Sequence, residues 1–535
     1  MTQPERTPTG MNRRRLLSLT GGVGLAAGLE AGLGACDVTT SSSGSNGSER
    51  AGGKSGTKDG PQATVKLPPS KADLPNGKVT FSWMTSGGLK SEFFKKTLTA
   101  YHREHPNVTM DYLESTWDRI NESVPLGIRN GNAPDVFQKP QPVPVQVMVN
   151  EGWVAPLEEV IPDFETWKSK FPETAFIPGV HVFNGRTYSW TFTSSRSQYS
   201  ELLLFDTGYL DKAGVDPRAE RFTWETFRAT AKKITKQGKG QYYGLMIPGE
   251  KMGSVAMNLA ELAGLRGGEF DHKTGEYNYT KPELRAAIDW LMAVKEDGSI
   301  FPGAMSLNGA DARSRMPQRV AAMTFDGPWA ILQWEQESPE YAFSVAMPPT
   351  RRPGTMRHVG YEEGVAAPLF VYAKTKYPDI AGDIFTYMGS VDGQAVLGML
   401  TQGIFTSEIE AANRRARRSS LVKGVAKKAG TIMDDLRRTV PLPQVRNPDV
   451  AKAILEQKAV QPTLADIVEG VATGQVKDVD QALEKLQDDS DKNLDEAIAK
   501  ARKKGAKVSR DDWVFPNWDP SKDYTAADYA ELKSS

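Results

Sequence analysis

Lys78-Val79-Thr80-Phe81-Ser82-Trp83, then Gly87-Gly88, then the segment 91–105, decide the fold class. The first run alternates apolar and polar residues as a half-buried strand does, and the third puts Phe93, Phe94, Leu98 and Tyr101 on one helical face. Strand, glycine loop and helix open an α/β unit. Val108-Thr109-Met110-Asp111-Tyr112-Leu113 reads as a second strand, 119–130 as a second helix, and Ala133-Pro134-Asp135-Val136-Phe137 as a third, short strand. This alternation predicts a sheet of parallel strands with helices on both faces. Ligands of such sheets sit at the carboxyl ends of strands, which directs attention to 86–90, 115–117 and 138–139.

Further along, Leu202-Leu203-Leu204-Phe205-Asp206 is an apolar strand, and Thr223 is placed to cap a helix beginning at Trp224. Tyr243-Gly244-Leu245-Met246-Ile247 and Ala321-Ala322-Met323-Thr324-Phe325 are two more strands, the latter running into Asp326-Gly327-Pro328-Trp329. The last third reads as helices over 380–400, 450–461 and 479–504, with no internal repeat. The chain has 535 residues with 66 basic against 66 acidic side chains and 39% hydrophobic residues. That is ordinary for a soluble protein of two large lobes. A balanced charge argues against nucleic acid as a partner, because such affinity comes from neutralising phosphates.

Cys36 is the single cysteine, so no intramolecular disulfide and no cysteine-built zinc site can form. Its place is informative. The first 35 residues read as a cleaved signal, with Arg13-Arg14-Arg15-Leu16-Leu17 before a glycine-interrupted apolar stretch and Leu33-Gly34-Ala35-Cys36 after it. The arginines resemble a twin-arginine export signal, with the general secretory route as the competing reading. Leu33-Gly34-Ala35-Cys36 resembles a bacterial lipobox, in which Cys36 is acylated with palmitate-type chains and becomes the new N-terminus. Each buried methylene contributes about 0.8 kcal/mol, so the acylated cysteine anchors the protein at the extracytoplasmic face of the cell membrane. Processing leaves 500 residues with a net charge of −2. Residues 36–75, rich in Ser, Gly, Thr, Lys and Pro, read as a flexible tether.

Behind the lipobox, an ordered set of motifs resembles the extracellular solute-binding lipoproteins of ABC importers, in the carbohydrate (family 1) branch. They are Gly87-Gly88, Asn132-Ala133-Pro134-Asp135-Val136, Gly152-Trp153-Val154-Ala155-Pro156-Leu157, Asn184-Gly185-Arg186-Thr187-Tyr188, Leu202 to Asp206, Thr223-Trp224-Glu225-Thr226-Phe227, and Met323 to Trp329. The resemblance implies a two-lobe periplasmic-binding-protein-like fold whose lobes close over ligand. Carried onto this chain, lobe one is 76–199 with 357–415 and lobe two is 204–350 with 420–535, hinged near Tyr199-Ser200-Glu201 and His358. It also implies a carbohydrate ligand, ABC permease transmembrane subunits as partners, and no cofactor. The C-terminal stretch ending Asp512-Trp513-Val514-Phe515-Pro516-Asn517-Trp518 is longer than the family pattern, and it resembles that of larger oligosaccharide-binding members.

Sugar C–H faces pack on aromatic rings while hydroxyls need planar donors and acceptors. On that chemistry the ligand-binding candidates are Trp329, which matches the family's stacking position, Asp326, and Tyr361 with Glu362 beside the hinge. Trp83, Trp117, Gln138, Trp190 and Tyr199 follow, at loops or crossings. The competing function is a surface glycan lyase or glycoside hydrolase, since adjacent acids abound: Glu158-Glu159, Glu362-Glu363, Asp434-Asp435. Neighbouring residues on a strand or helix point apart, so these pairs read as solvated faces rather than a catalytic dyad. No Gly-x-Ser-x-Gly, His-Glu-x-x-His or phosphate-loop motif occurs. Asp489, Asp491, Asn493 and Asp495 mimic the start of a calcium loop, but Leu494 and Lys500 stand where glycine and glutamate are required. That segment reads as the charged start of a helix, and no metal site is expected.

Overall fold

In the computed structural model the described residues are 63–172, 175–354, 357–364 and 368–534. They fall within one of the chain's two units, Lys58–Ser535. Cys36, the signal and most of the tether lie outside them. In chain order the strands that matter are β1 (Val79–Ser86), β2 (Val108–Ser115), β3 (Val136–Gln138), β4 (Leu202–Asp206), β5 (Tyr243–Met246), β6 (Ala321–Asp326), β7 (Phe343–Ala346), β8 (Val359–Tyr361), β9 (Leu369–Val371) and β10 (Arg437–Thr439).

Two four-stranded sheets form, ordered β9-β3-β1-β2 and β7-β4-β6-β5. In the first, β1 runs parallel to β2 and β3, in register from Val79 opposite Val108 to Ser86 opposite Ser115, and β9 returns antiparallel. The second departs from the parallel reading: β4 is antiparallel to both β6 and β7, and only β5 and β6 are parallel. The chain enters this sheet at β4 after the short turn Ser195–Ser197, without the crossover helix that a parallel neighbour needs. All five β4 residues are buried. Leu202 and Leu204 join the core that holds Phe81, Trp83, Phe93 and Phe94, while Leu203 and Phe205 join the one that holds Phe227, Ile288 and Phe325. A strand buried on both faces is continuously apolar for that reason.

The first helix forms over Ser91–Glu104 with Phe93, Phe94, Leu98 and Tyr101 buried; each such ring or leucine contributes roughly 1.5–3 kcal/mol. Thr223 caps Trp224–Gly238 in a reciprocal capping box with Thr226. The segment read as one helix over 380–400 is two, Pro378–Met388 and Val391–Leu400, broken where Gly389 lies under Trp167 and Ser390 caps the next helix. A Cβ at Gly389 would stand 2.2 Å from the Trp167 indole nitrogen. The helix read over 450–461 stops at Ile454, because the Asn493 side chain takes both the N–H and the carbonyl of Lys458. Asp489 to Asp495 lie inside the helix Val479–Lys503 rather than at its start, and Asp491 and Asp495 hold Arg510. The tether also ends sooner than its composition suggests. Val65 is buried in the core, and Ser70 and the Lys71 N–H both donate to Asp383.

Candidate functional site

Three passes of the chain meet just before β4: the segment through Tyr199, β8 and β10. β8 and β10 pair in parallel, Val359 opposite Arg437 and Tyr361 opposite Thr439. The Arg437 guanidinium lies 5.1 Å from the Tyr199 ring and 4.8 Å from that of Tyr361, and its Nη1 donates to the Gln198 carbonyl at 2.8 Å. Arg196 covers Tyr361 at 5.5 Å. The crossing is thus a stack of rings and guanidinium groups, each contact worth about 0.5–2 kcal/mol.

Against this crossing lies a cavity of about 860 Å³, a size suited to a small ligand. Phe176, Ile177, Ser194 and Arg196 line it before the first crossing, Tyr361 at the end of β8 and Glu363 in the turn after it, and Glu408 and Arg417 around the helix Glu410–Arg417. Asp434, Thr439 and Val440 line it around β10, and Asp523, Tyr524 and Tyr529 close it from the C-terminal tail.

Its polar groups are tightly placed. The Glu363 carboxylate accepts from Ser194 Oγ at 2.8 Å, the Ser195 N–H at 2.6 Å and the Gly364 N–H at 3.1 Å. Gly364 has φ +84°, and a Cβ there would lie 2.5 Å from Ile177 and 2.8 Å from His181, so glycine is required on both counts. Buried His181 accepts from the Ile177 N–H at Nδ1 and donates from Nε2 to the Gly364 carbonyl, each at 3.1 Å. That fixes its neutral tautomer, and burial pulls it down to about 3. Half-buried Glu408 is pushed the other way, up to about 8, by burial and then by the Glu363 carboxylate. Asp523 joins tail to crossing: it accepts from the Thr439 N–H at 2.9 Å and pairs with Arg196 at 2.9 Å.

Of the residues proposed from sequence, the cavity brings in Tyr361 alone. Glu362 stands outside the cavity lining, while its neighbour Glu363, read as half of a solvated pair, is buried on the cavity wall. Trp83 is wholly buried between Phe94 and Phe385, and Trp190 packs edge-on to Trp167 and Phe385 at 5.2 and 4.9 Å. Both are core residues. Gln138 is buried and joins β3 to β1, accepting from the Ser86 N–H and hydroxyl at 2.7 and 2.8 Å. Tyr199 is buried under Arg437 and donates to Asn258 Oδ1 at 3.0 Å. Trp117 is half-buried at a helix start against the Ile120 and Val124 cluster.

Trp329 is half-exposed and Asp326 buried, at the end of β6, away from the cavity lining. Asp326 is saturated: Arg313 donates to both oxygens at 2.7 and 3.1 Å, and the Gly327 N–H and Trp329 Nε1 donate to Oδ1 at 2.7 and 2.9 Å. The Trp329 ring folds back over Gly327 with Arg313 and Lys251 about it at 5.9 and 6.0 Å. Glu408, Asp523, Tyr524 and Tyr529 carried no sequence signal, because they reach the cavity from segments with no motif. In the tail, Trp513 and Trp518 are buried and brace it, while the residues after them face the cavity.

The sequence pattern of the bacterial extracellular solute-binding proteins matches residues 84–395. A Brucella abortus protein described as a binding protein is 25% identical over 309 residues, 57% of this chain and 71% of that one. Among solved structures, the GacH receptor of Streptomyces glaucescens, studied with acarbose, superposes with a TM-score of 0.57 at 18% identity, over 78% of this chain and 98% of the receptor. An ABC transporter solute-binding protein of Thermotoga lettingae, bound with α-D-tagatose, gives 0.57 at 19% identity, over 78% of this chain and all of the other. At these identities the likeness establishes the two-lobe α/β fold. Among the described residues no helix is long and apolar enough to cross a membrane.

Proposed function

The chain belongs to the bacterial extracellular solute-binding protein family, and from that premise we propose that it is a receptor that captures a sugar or oligosaccharide between its lobes and delivers it to an ABC permease. In this reading the acylated Cys36 holds it at the outer face of the membrane, and it performs no covalent chemistry on its cargo. The lobes are those of the sequence reading, 76–199 with 357–415 and 204–350 with 420–535, and they close about β8 and β10.

The observation that carries the reading is the cavity at the crossing strands. It offers the rings of Phe176, Tyr361, Tyr524 and Tyr529 beside fixed carboxylates, guanidinium groups and Ser194, which is what a sugar with apolar faces and planar hydroxyl partners requires. These groups are held before ligand arrives, so little ordering entropy opposes binding. The proteins of similar fold studied with acarbose and with tagatose support a saccharide of unspecified length.

Thermal unfolding of the mature chain with a panel of mono- and oligosaccharides tests the proposal. A true ligand raises the melting temperature by mass action, by about 2.7 kcal/mol of stability at a hundredfold excess over Kd. Tyr361→Ala, by weakening binding tenfold or more, should cut that gain to about 1.4 kcal/mol or less. Release of shorter sugars from the same panel would replace the receptor with a glycan-degrading enzyme, and metabolic labelling of Cys36→Ala with a palmitate analogue would test the anchor.

A further inference from the structure

The cavity carries more negative than positive charge, and its ion pairs show where the excess sits. Glu363, Glu408, Glu410, Asp434 and Asp523 line it, against Arg196 and Arg417. Arg196 is matched to Asp523 at 2.9 Å, and Arg417 lies 3.6 Å from Glu410 and 3.9 Å from Asp434. Among the described residues, neither Glu363 nor Glu408 makes an ion pair within 4 Å, and Arg196, which acts on Glu408 from further off, is held by Asp523. Glu363 is fixed as an acceptor by Ser194, Ser195 and Gly364. Glu408 faces Glu363, Ser194, Arg196 and Asp523.

Two neighbouring carboxyl groups in a partly dry site favour a shared proton or a bound cation. Between ligands the proton serves, since burial and then the Glu363 carboxylate push Glu408 up to about 8. A metal ion is a poor replacement, because among the described residues no three His, Cys, Asp or Glu converge as a metal site would need. An organic ammonium fits better: it can donate to both carboxylates and lie over the rings of Tyr361, Tyr524 or Tyr529.

We propose that the cavity selects a saccharide bearing a protonated amine, with the ammonium seated between Glu363 and Glu408. This rests on the sugar-receptor reading above and sharpens it. As the ligand enters, the Glu408 carboxyl gives its proton to solvent and the carboxylate accepts an N–H of the ammonium, which keeps its charge. A neutral sugar makes no such exchange. The site itself stands on the cavity and its rings; the charge excess decides which sugars enter.

The test is calorimetric titration of the mature chain at pH 6, in two buffers of different ionisation enthalpy. The probes are matched oligomers of glucosamine, N-acetylglucosamine and glucose from two to six units. The free-amine series should bind about tenfold or more tighter than the acetylated series at the same length, with about one proton released per ligand. Glu408→Gln should abolish both the preference and the release, and Glu408→Asp should restore the release, which separates the carboxyl's role from a folding defect. Equal affinity for acetylated or glucose oligomers, or proton release that survives Glu408→Gln, overturns the amine while leaving the sugar receptor intact. Failure of all three series to bind overturns the amine, while the sugar receptor is decided by the wider saccharide panel above.

Discussion

The corner at the end of β6 and the cavity at β8 and β10 are built from the same residue types, an aromatic ring set among carboxylates and arginines, yet they differ in what is left unpaired. At the corner Asp326 receives four donors, and Trp329 spends its N–H on that same carboxylate. At the cavity the cations are used up on Asp523, Glu410 and Asp434, and two carboxyls remain over beside open volume. A constellation that satisfies itself holds a fold together. One that leaves acceptors over beside a cavity is ready for something else. The contrast can be attacked from both ends.

The largest effect is expected at the corner. Asp326→Ala leaves Arg313, whose side chain is only 16% exposed, without its partner. Breaking a buried pair in this way costs about 3–5 kcal/mol, to be read as a lower urea midpoint at unchanged slope. A loss under 1 kcal/mol would mean that the corner is not the closed structural unit described here.

Acid should act next, and it acts at the cavity wall. His181 is neutral in the folded protein down to about 3 but titrates at its ordinary 6.5 once unfolded. Below 6.5 the unfolded chain therefore takes up a proton that the folded one refuses, and stability falls with falling pH until about 3. From pH 7 to pH 5 this one group removes about 2 kcal/mol. Buried His272, pulled down to about 4, adds to the same fall. His181→Gln should flatten the slope in part, and a slope that is unchanged would place His181 in contact with water.

Glu408 has the opposite sign. It keeps its proton up to about 8 when folded but ionises at its ordinary 4.5 when unfolded. The folded state is thus penalised as pH rises from 4.5, fully so above 8. Glu408→Gln should accordingly be more stable than the parent at pH 9, by roughly 1–3 kcal/mol after solvent screening of a half-buried group, and no more stable at pH 4. The same kind of substitution that damages the corner should relieve the cavity. Equal stability at pH 9 would show that Glu408 is already matched by a cation.

How much of this was legible in the sequence follows from the range of the interactions. β1, the glycine loop, the first helix and the Thr223 cap are set by residues within a few positions of each other, and periodicity and capping chemistry find them. The antiparallel setting of β4 is decided by where the chain re-enters a sheet, and the break at Gly389 by the Trp167 indole more than 200 positions away. Neither leaves a local mark. The site shows the same division. Tyr361 is legible because it lies beside a crossing, whereas Glu408 and Asp523 matter through partners at Glu363 and Arg196 that only the fold brings near. Residue type alone nominates Trp83 and Trp190, and their apolar surface is spent on Phe385 and Trp167. Glu363 shows the limit best: adjacent in sequence to Glu362, it is turned inward by the turn that follows β8, where Ser194, Ser195 and Gly364 hold its carboxylate.

The smallest effect is expected where the family resemblance pointed most directly. Trp329→Ala removes a ring that lies over its own turn and donates to Asp326, while Arg313 and the Gly327 N–H continue to hold that carboxylate. Ligand affinity should fall by about threefold or less, against tenfold or more for Tyr361→Ala, whose ring lines the cavity. Both are measured by titration with whichever saccharide gives the strongest thermal shift. The order of the two losses is what matters, because it does not depend on the absolute affinity. A greater loss at Trp329 would mean that Lys251 and Arg313 swing off the ring when ligand arrives, and it would make the strand-end corner the binding surface and the cavity at β8 and β10 its approach.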